Sequence, residues 1–180
     1  MTDISVTRRI TLALAGVMMS GYLLRPQVSQ ALVVRGDERL YRGSSLEALE
    51  YYRRAIQVDP LDASAVDRFA FGAVSLRSAN VVREAIALSS AYLDQRPGDD
   101  VVRMDRAMAF RLIGDWHDAA NDFERVGERQ RDATALTFAG YAAERVREGS
   151  RARILWREAL SIDPSFRAAL RALHARRPAS

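Results

Sequence analysis

A chain of 180 residues, 48% apolar and 28% charged with a net charge of +4, suits one compact domain with an appendage. It has no cysteine, and all 27 basic residues are arginine, which excludes disulfides, thiolate nucleophiles and metal sites, Schiff-base lysines and phosphate-loop lysines. The modest positive charge permits a nucleic-acid or anionic-lipid contact without demanding one.

Sparse glycine and proline with abundant alanine favour helix, because alanine keeps most of its freedom there. The lysine-free composition reads as the codon usage of a GC-rich bacterial genome.

The first element is apolar. Arg8-Arg9 precedes an uncharged, mostly apolar run, Ile10 to Leu24, which ends at Arg25-Pro26 and is followed by Ser29-Gln30-Ala31. A positive start, an apolar middle, a helix-breaking proline and small residues are the layout of an export signal, with a cut expected after Ala31. The rival expectation is a retained membrane anchor over residues 10–24. Fifteen helical residues span only ~22 Å against a hydrocarbon core of ~30 Å, a deficit that snorkelling by Arg9 and Arg25 would partly cover. In that case Gly16 and Ser20 offer a small-residue face for packing against another membrane helix. Thr7-Arg8-Arg9 faintly resembles a twin-arginine export signal, with Thr11 where that motif has a bulky apolar residue.

From residue 29 onward the chain repeats itself. A small residue is followed by positions 12, 16, 19 and 24 further on: Gly36, Ala48, Tyr52, Ala55, Pro60; Ala73, Ala85, Ser89, Tyr92, Pro97; Ala107, Ala119, Phe123, Val126, Arg131; Gly140, Ala152, Trp156, Ala159, Pro164. The starting points lie 37, 34 and 33 residues apart. Such spacing predicts pairs of packed helices, with small residues admitting close approach and an aromatic filling the gap between them. Asp59-Pro60 and Asp163-Pro164 end second helices, because proline disfavours helix in the residue before it. Gly43-Ser44-Ser45 with Glu47 predicts a capping box, and Asp99, Asp100 and Asp115 fall at helix starts, where carboxylates satisfy free amides.

With these residues in hand, the chain resembles the tetratricopeptide repeat family over about residues 29–166. The departures are Ser89 in the aromatic slot, Asn80-Val81-Val82 at the second turn and Arg131 in place of a closing proline. The resemblance implies an all-α fold: a right-handed α-solenoid of about four helix–turn–helix repeats (29–62, 66–99, 100–132, 133–166), an apolar N-terminal helix before them and a capping helix over 167–177. Residues 1–31 are then a signal peptide or membrane anchor, and 32–177 the solenoid.

No chemistry-bearing constellation appears. His117 and His174 have no partner at ligand spacing, and no phosphate loop, nucleophile elbow or calcium loop is present, so neither an enzyme, a cofactor nor a metal site is expected. In the family, first helices carry peptide contacts on a concave face. Transferred by spacing, the lining comprises Val33, Asp37, Tyr41, Asp67, Ala70, Val74, Arg77, Val101, Met104, Met108, Arg111, Thr137, Tyr141 and Arg145. Arg77, Arg111 and Arg145 stand 34 residues apart and form a column suited to carboxylates, against a bland reading as solvated side chains in an arginine-rich protein. The family's chaperone-tail clamp needs lysines and asparagines that this lining lacks. Tyr52, Tyr92, Phe123 and Trp156 are expected in the core, and Trp116 as a staple at a helix start. The arginine-rich end, Arg145 to Arg177, lacks interleaved exposed aromatics, which disfavours nucleic acid.

The expected role is a protein-interaction scaffold of a bacterial cell envelope, in the periplasm or on the inner membrane facing it, holding a protein or peptide for assembly of an envelope machine. The alternative is a membrane-anchored accessory subunit of a membrane protein complex.

Overall fold

The computed structural model describes the backbone of residues 4–175 and the side chains of residues 23–175. Among the described residues every regular element is an α-helix: α1 (Ile4–Tyr41), α2 (Ser45–Val58), α3 (Ala63–Leu76), α4 (Ala79–Gln95), α5 (Asp100–Ile113), α6 (Trp116–Gln130), α7 (Ala133–Arg145), α8 (Gly149–Ile162) and α9 (Arg167–His174). After the 38-residue α1, the helices α2 to α8, of 13 to 17 residues each and joined by short turns, give the expected fold class, an all-α solenoid of helix–turn–helix repeats with a short helix after the last. The chain divides into two compact units, Met1–Ala65 and Val66–Ser180.

In the first unit, α1 and α2 pack through the small-residue positions. Ala48, Leu49, Tyr52, Ala55 and Ile56 recur at helical spacing and are buried. Gly36 lies against Tyr52 so closely that a Cβ there would stand 2.4 Å from the ring. The tyrosine hydroxyl donates to Asp37 at 2.7 Å. Asp62 closes the unit. Its carboxylate accepts from the Ser29 hydroxyl at 2.6 Å, from the Gln30 amide, and from the Ser64 and Ala65 backbone amides that open α3. Burial pushes the Asp62 carboxyl up, but the hydrogen bonds from Ser29, Ser64 and Ala65 outweigh it and hold the pKa below the ordinary carboxylate value.

Pro26 does not break the chain as expected. It lies inside α1, which runs unbroken for 38 residues. Among the described residues no helix is long and apolar enough to cross a membrane. The side chains of the proposed helix-packing pair, Gly16 and Ser20, lie outside the described residues, as do Arg176 and Arg177 at the chain's basic end.

In the second unit the same rule holds at Gly140, where a Cβ would stand 2.2 Å from the Trp156 indole nitrogen. That nitrogen donates to the Thr137 carbonyl at 3.3 Å. Phe123 and Trp156 are buried among alanines from α5 to α9, and Tyr92 is buried on α4, as the spacing predicts. Ser89, in the aromatic slot, is also fully buried, with a hydroxyl that finds no partner. The last helix, α9, seats Ala169 and Ala172 on the cluster and accepts a hydrogen bond at Ala168 from Tyr141.

Helix ends follow local chemistry. Asp99 and Asp132 each accept two backbone amides at the starts of α5 and α7. Gly114 ends α5 at φ +84°, and Arg131 takes φ +51° at the end of α6 where other repeats place a proline. Three expected caps do not form. Ser44 makes no side-chain cap, and the Glu47 carboxylate pairs with Arg39 at 3.0 Å instead of reaching back to it. Asp115 caps nothing, and Asp100 is buried against Gln130 and Arg129 rather than at free amides.

Candidate functional site

Within the second unit, α3, α5 and α7 present their last turns side by side, and the side chains there enclose a hollow of about 580 Å3. Val74, Met108, Leu112, Phe138, Tyr141 and Ala142 supply apolar surface, and Trp116 enters from the first turn of α6. Arg77, Arg111, Glu144 and Arg145 supply charge. Arg77 and Arg111 occupy the same repeat position, four residues past Ala73 and Ala107, whereas Arg145 lies five past Gly140 and joins them from the last residue of α7. Arg77 reaches it from just beyond α3, with φ +54°. Two of the guanidinium groups are seated on aromatic faces, Arg111 at 5.4 Å from the Phe138 ring centre and Arg145 at 4.6 Å from the Trp116 ring centre.

Six residues singled out by spacing therefore meet: Val74, Arg77, Met108, Arg111, Tyr141 and Arg145. Others do not. Met104 packs against the alanine-rich cluster, and Val33, Ala70 and Thr137 are core residues rather than lining. The Thr137 hydroxyl is occupied by the Ala133 carbonyl. Asp37 is engaged by Tyr52, and Val101 is exposed but away from the hollow. Tyr41 belongs to the first unit, where it is 95% exposed at the end of α1. Leu112, Phe138 and Trp116 were not among the residues transferred by spacing. A large aromatic opening α6, where the apolar pattern asks for none, is the signal that points to Trp116.

Asp67 turns to a different partner. It lies against Asp105 of α5, and burial together with the neighbouring Asp67 carboxylate pushes the Asp105 pKa up to about 8. Oδ2 of Asp105 is buried and meets no donor, so the group is more comfortable carrying a proton than a charge. An acid whose folded pKa exceeds its unfolded value of 3.8 contributes stability fully below about pH 4, and loses that contribution as pH rises toward 8. Asp105→Asn keeps the shape of the protonated form. It is expected to raise stability at pH 8 by on the order of 2 kcal/mol and to flatten the stability curve between pH 4 and 8, as read by urea unfolding across that range.

Beneath the α5–α6 pair lies a buried ion cluster. Asp122 of α6 accepts from Arg106 at 2.7 and 2.9 Å and from Arg103 at 3.5 Å. Arg103, 5% exposed, also donates to the Pro97 carbonyl, and Arg106 donates to Ser90 of α4. This is framework rather than reactive chemistry. Among the described residues no group of histidine, aspartate and glutamate is placed to hold a metal ion. His117 pairs only with its exposed neighbours Asp118 and Asn121.

No protein-family model matches the chain, and no curated protein is a sequence relative. Solved structures with the same fold are numerous. YrrB, described as a tetratricopeptide repeat protein with an unusual peptide-binding site, superposes with a TM-score of 0.68 at 19% identity, covering 95% of this chain and 87% of its own. The 41-end fragment of MamA from Desulfovibrio magneticus RS-1 gives 0.65 at 19% identity over 76% of each chain. TTC0263, a thermophilic tetratricopeptide repeat protein of Thermus thermophilus, gives 0.57 at 19% identity, covering 82% of this chain and 81% of its own. The chain thus has the fold of tetratricopeptide repeat proteins.

Proposed function

We propose that the protein is a non-enzymatic scaffold of the bacterial cell envelope, and that the hollow on α3, α5 and α7 holds a segment of a partner protein. The single observation behind this reading is that hollow. A concave, mostly apolar surface that carries three arginines has the anatomy of a recognition site. The fold neighbours include one described as peptide-binding, which supports the same reading. Assembly of a surface or membrane machine fits the apolar N-terminal run.

The alternative, a membrane-anchored accessory subunit that keeps its N-terminal segment, is favoured by one specific contact. Ser29 and Gln30, within the cleavage-like Ser29-Gln30-Ala31, are partners of Asp62 in the folded first unit. A cut after Ala31 removes both partners and leaves a buried carboxylate short of donors.

One preparation tests both. Full-length protein carrying a photo-crosslinker at Met108 is fractionated from native cells, its partner is recovered, and the mass of its N-terminus is read. Arg111→Glu is expected to reduce crosslinked partner at least fivefold with the melting temperature unchanged. Undiminished capture overturns the holding site, full-length protein free in the cytosol overturns the envelope assignment, and a chain starting at Leu32 overturns the anchored alternative.

A further inference from the structure

The hollow's charge and geometry say more than that it holds something. Its rim carries Arg77, Arg111 and Arg145 against the single acid Glu144. The three cations come from three successive repeats and line the same hollow, so they present several separate donors rather than a single point. Arg111 rests on Phe138 and Arg145 on Trp116. A guanidinium stacked this way spends its flat face on the ring, while its N–H donors lie in its own plane and stay available to an acceptor at its edge. Stacking also restricts the side chain before any partner arrives, so less rotamer freedom is lost on binding. Solvated arginines on a helix surface have neither restraint. In the same hollow, Met108, Leu112, Phe138 and Tyr141 offer apolar surface that a purely ionic ligand would leave unused.

We infer that the occupant is an extended acidic segment of a partner protein, with carboxylates spaced to meet successive arginines and one large apolar side chain between them that enters the hollow. This deepens the scaffold reading and rests on it. Charge complementarity selects the acidic segment, and carboxylates match the planar donor fork of arginine better than amides do. A lipid surface fits less well, since three cations around a hollow, two of them restrained by stacking, meet an extended chain more readily than a flat bilayer.

The test uses the full chain and a fluorescein-labelled peptide of alternating glutamate and aspartate with one central phenylalanine. Two companion peptides replace the acids by glutamine and asparagine, or the phenylalanine by alanine. The acidic peptide is expected to bind with an affinity that falls steeply with added salt. The amide peptide is expected to bind at least tenfold more weakly, and the alanine peptide several-fold more weakly. Arg77→Gln, Arg111→Gln and Arg145→Gln are each expected to weaken the acidic peptide about fivefold with unchanged melting temperatures, while Arg153→Gln, on α8 and outside the hollow, leaves it unaffected. Equal affinity for acidic and amide peptides, or no binding of either, overturns the inference. So does binding to phosphatidylglycerol vesicles without binding to the peptide. In each of those cases the scaffold reading survives if the Met108 crosslinker still captures a native partner in an Arg111-dependent manner.

Discussion

Asp122→Ala is expected to destabilise the protein by about 3–5 kcal/mol, the range seen when one partner of a buried ion cluster is removed. Its carboxylate is 8% exposed and serves two arginines of α5, of which Arg103 is as deeply buried and already has one nitrogen, Nε, without a partner. Without Asp122, both guanidinium groups remain between α5 and α6 with little to offset their desolvation. Arg106 also loses the contact that aims it at Ser90, so the loss reaches the α4–α5 junction. Asp122→Asn, which keeps one acceptor oxygen and the shape, is expected to cost clearly less. Replacing Arg103, Arg106 and Asp122 together by methionine and leucine is expected to cost less than Asp122→Ala alone, because no charge is then stranded. Guanidinium unfolding of the three variants reads the order. A loss below about 1 kcal/mol for Asp122→Ala would show that water reaches the arginines and that the cluster is not a framework element.

That cluster also marks where a sequence stops being legible. The repeat could be read because packing imposes a period. Small residues recur at fixed steps in all four sets and an aromatic faces them in three, and Gly36 with Tyr52 and Gly140 with Trp156 show the reason in space. Nothing in the letters separates Arg103 and Arg106, buried or partly buried against Asp122, from Arg125 and Arg129, which lie exposed on the next helix. Only the position of Asp122 across the α5–α6 interface decides it. Ser29 was ambiguous for a related reason: a small residue suits a protease's pocket and a tight helix contact equally well, and the structure gives it Asp62 and Ala55 as partners. The capping box at Ser44 has the right letters, but Glu47 pairs with Arg39 instead. Within the hollow, the arginine column was readable from its 34-residue step, whereas Phe138 lies one residue past the transferred position Thr137. Which of two neighbours on a helix turns inward depends on helix rotation, and spacing alone does not fix that.

The period itself makes the second strong prediction. Gly140→Val is expected to cost about 3 kcal/mol, because even its first added carbon would overlap the Trp156 indole, with Nε1 at 2.2 Å, Cδ1 at 2.6 Å and Cε2 at 2.8 Å. The ring has little room to retreat. Trp156 is 1% exposed, is held by its bond to the Thr137 carbonyl, and meets Tyr141 at a centroid distance of 5.6 Å. In a protein of this size such a loss lowers the melting temperature by roughly 6–12 °C. Glycine at the start of α8 supplies the contrast. A Cβ on Gly149 meets nothing within 4 Å, so Gly149→Ala is expected to be neutral or to stabilise by up to about 1 kcal/mol through helix propensity. The decisive measurement is a double-mutant cycle. Trp156→Leu alone should be costly through the space it leaves, yet Gly140→Val with Trp156→Leu should cost less than the sum of the two, since the valine fills part of that space. Strict additivity would mean that the glycine and the tryptophan do not share one volume. The spacing of small residue and aromatic, from which the whole repeat is read, would then have some other physical origin.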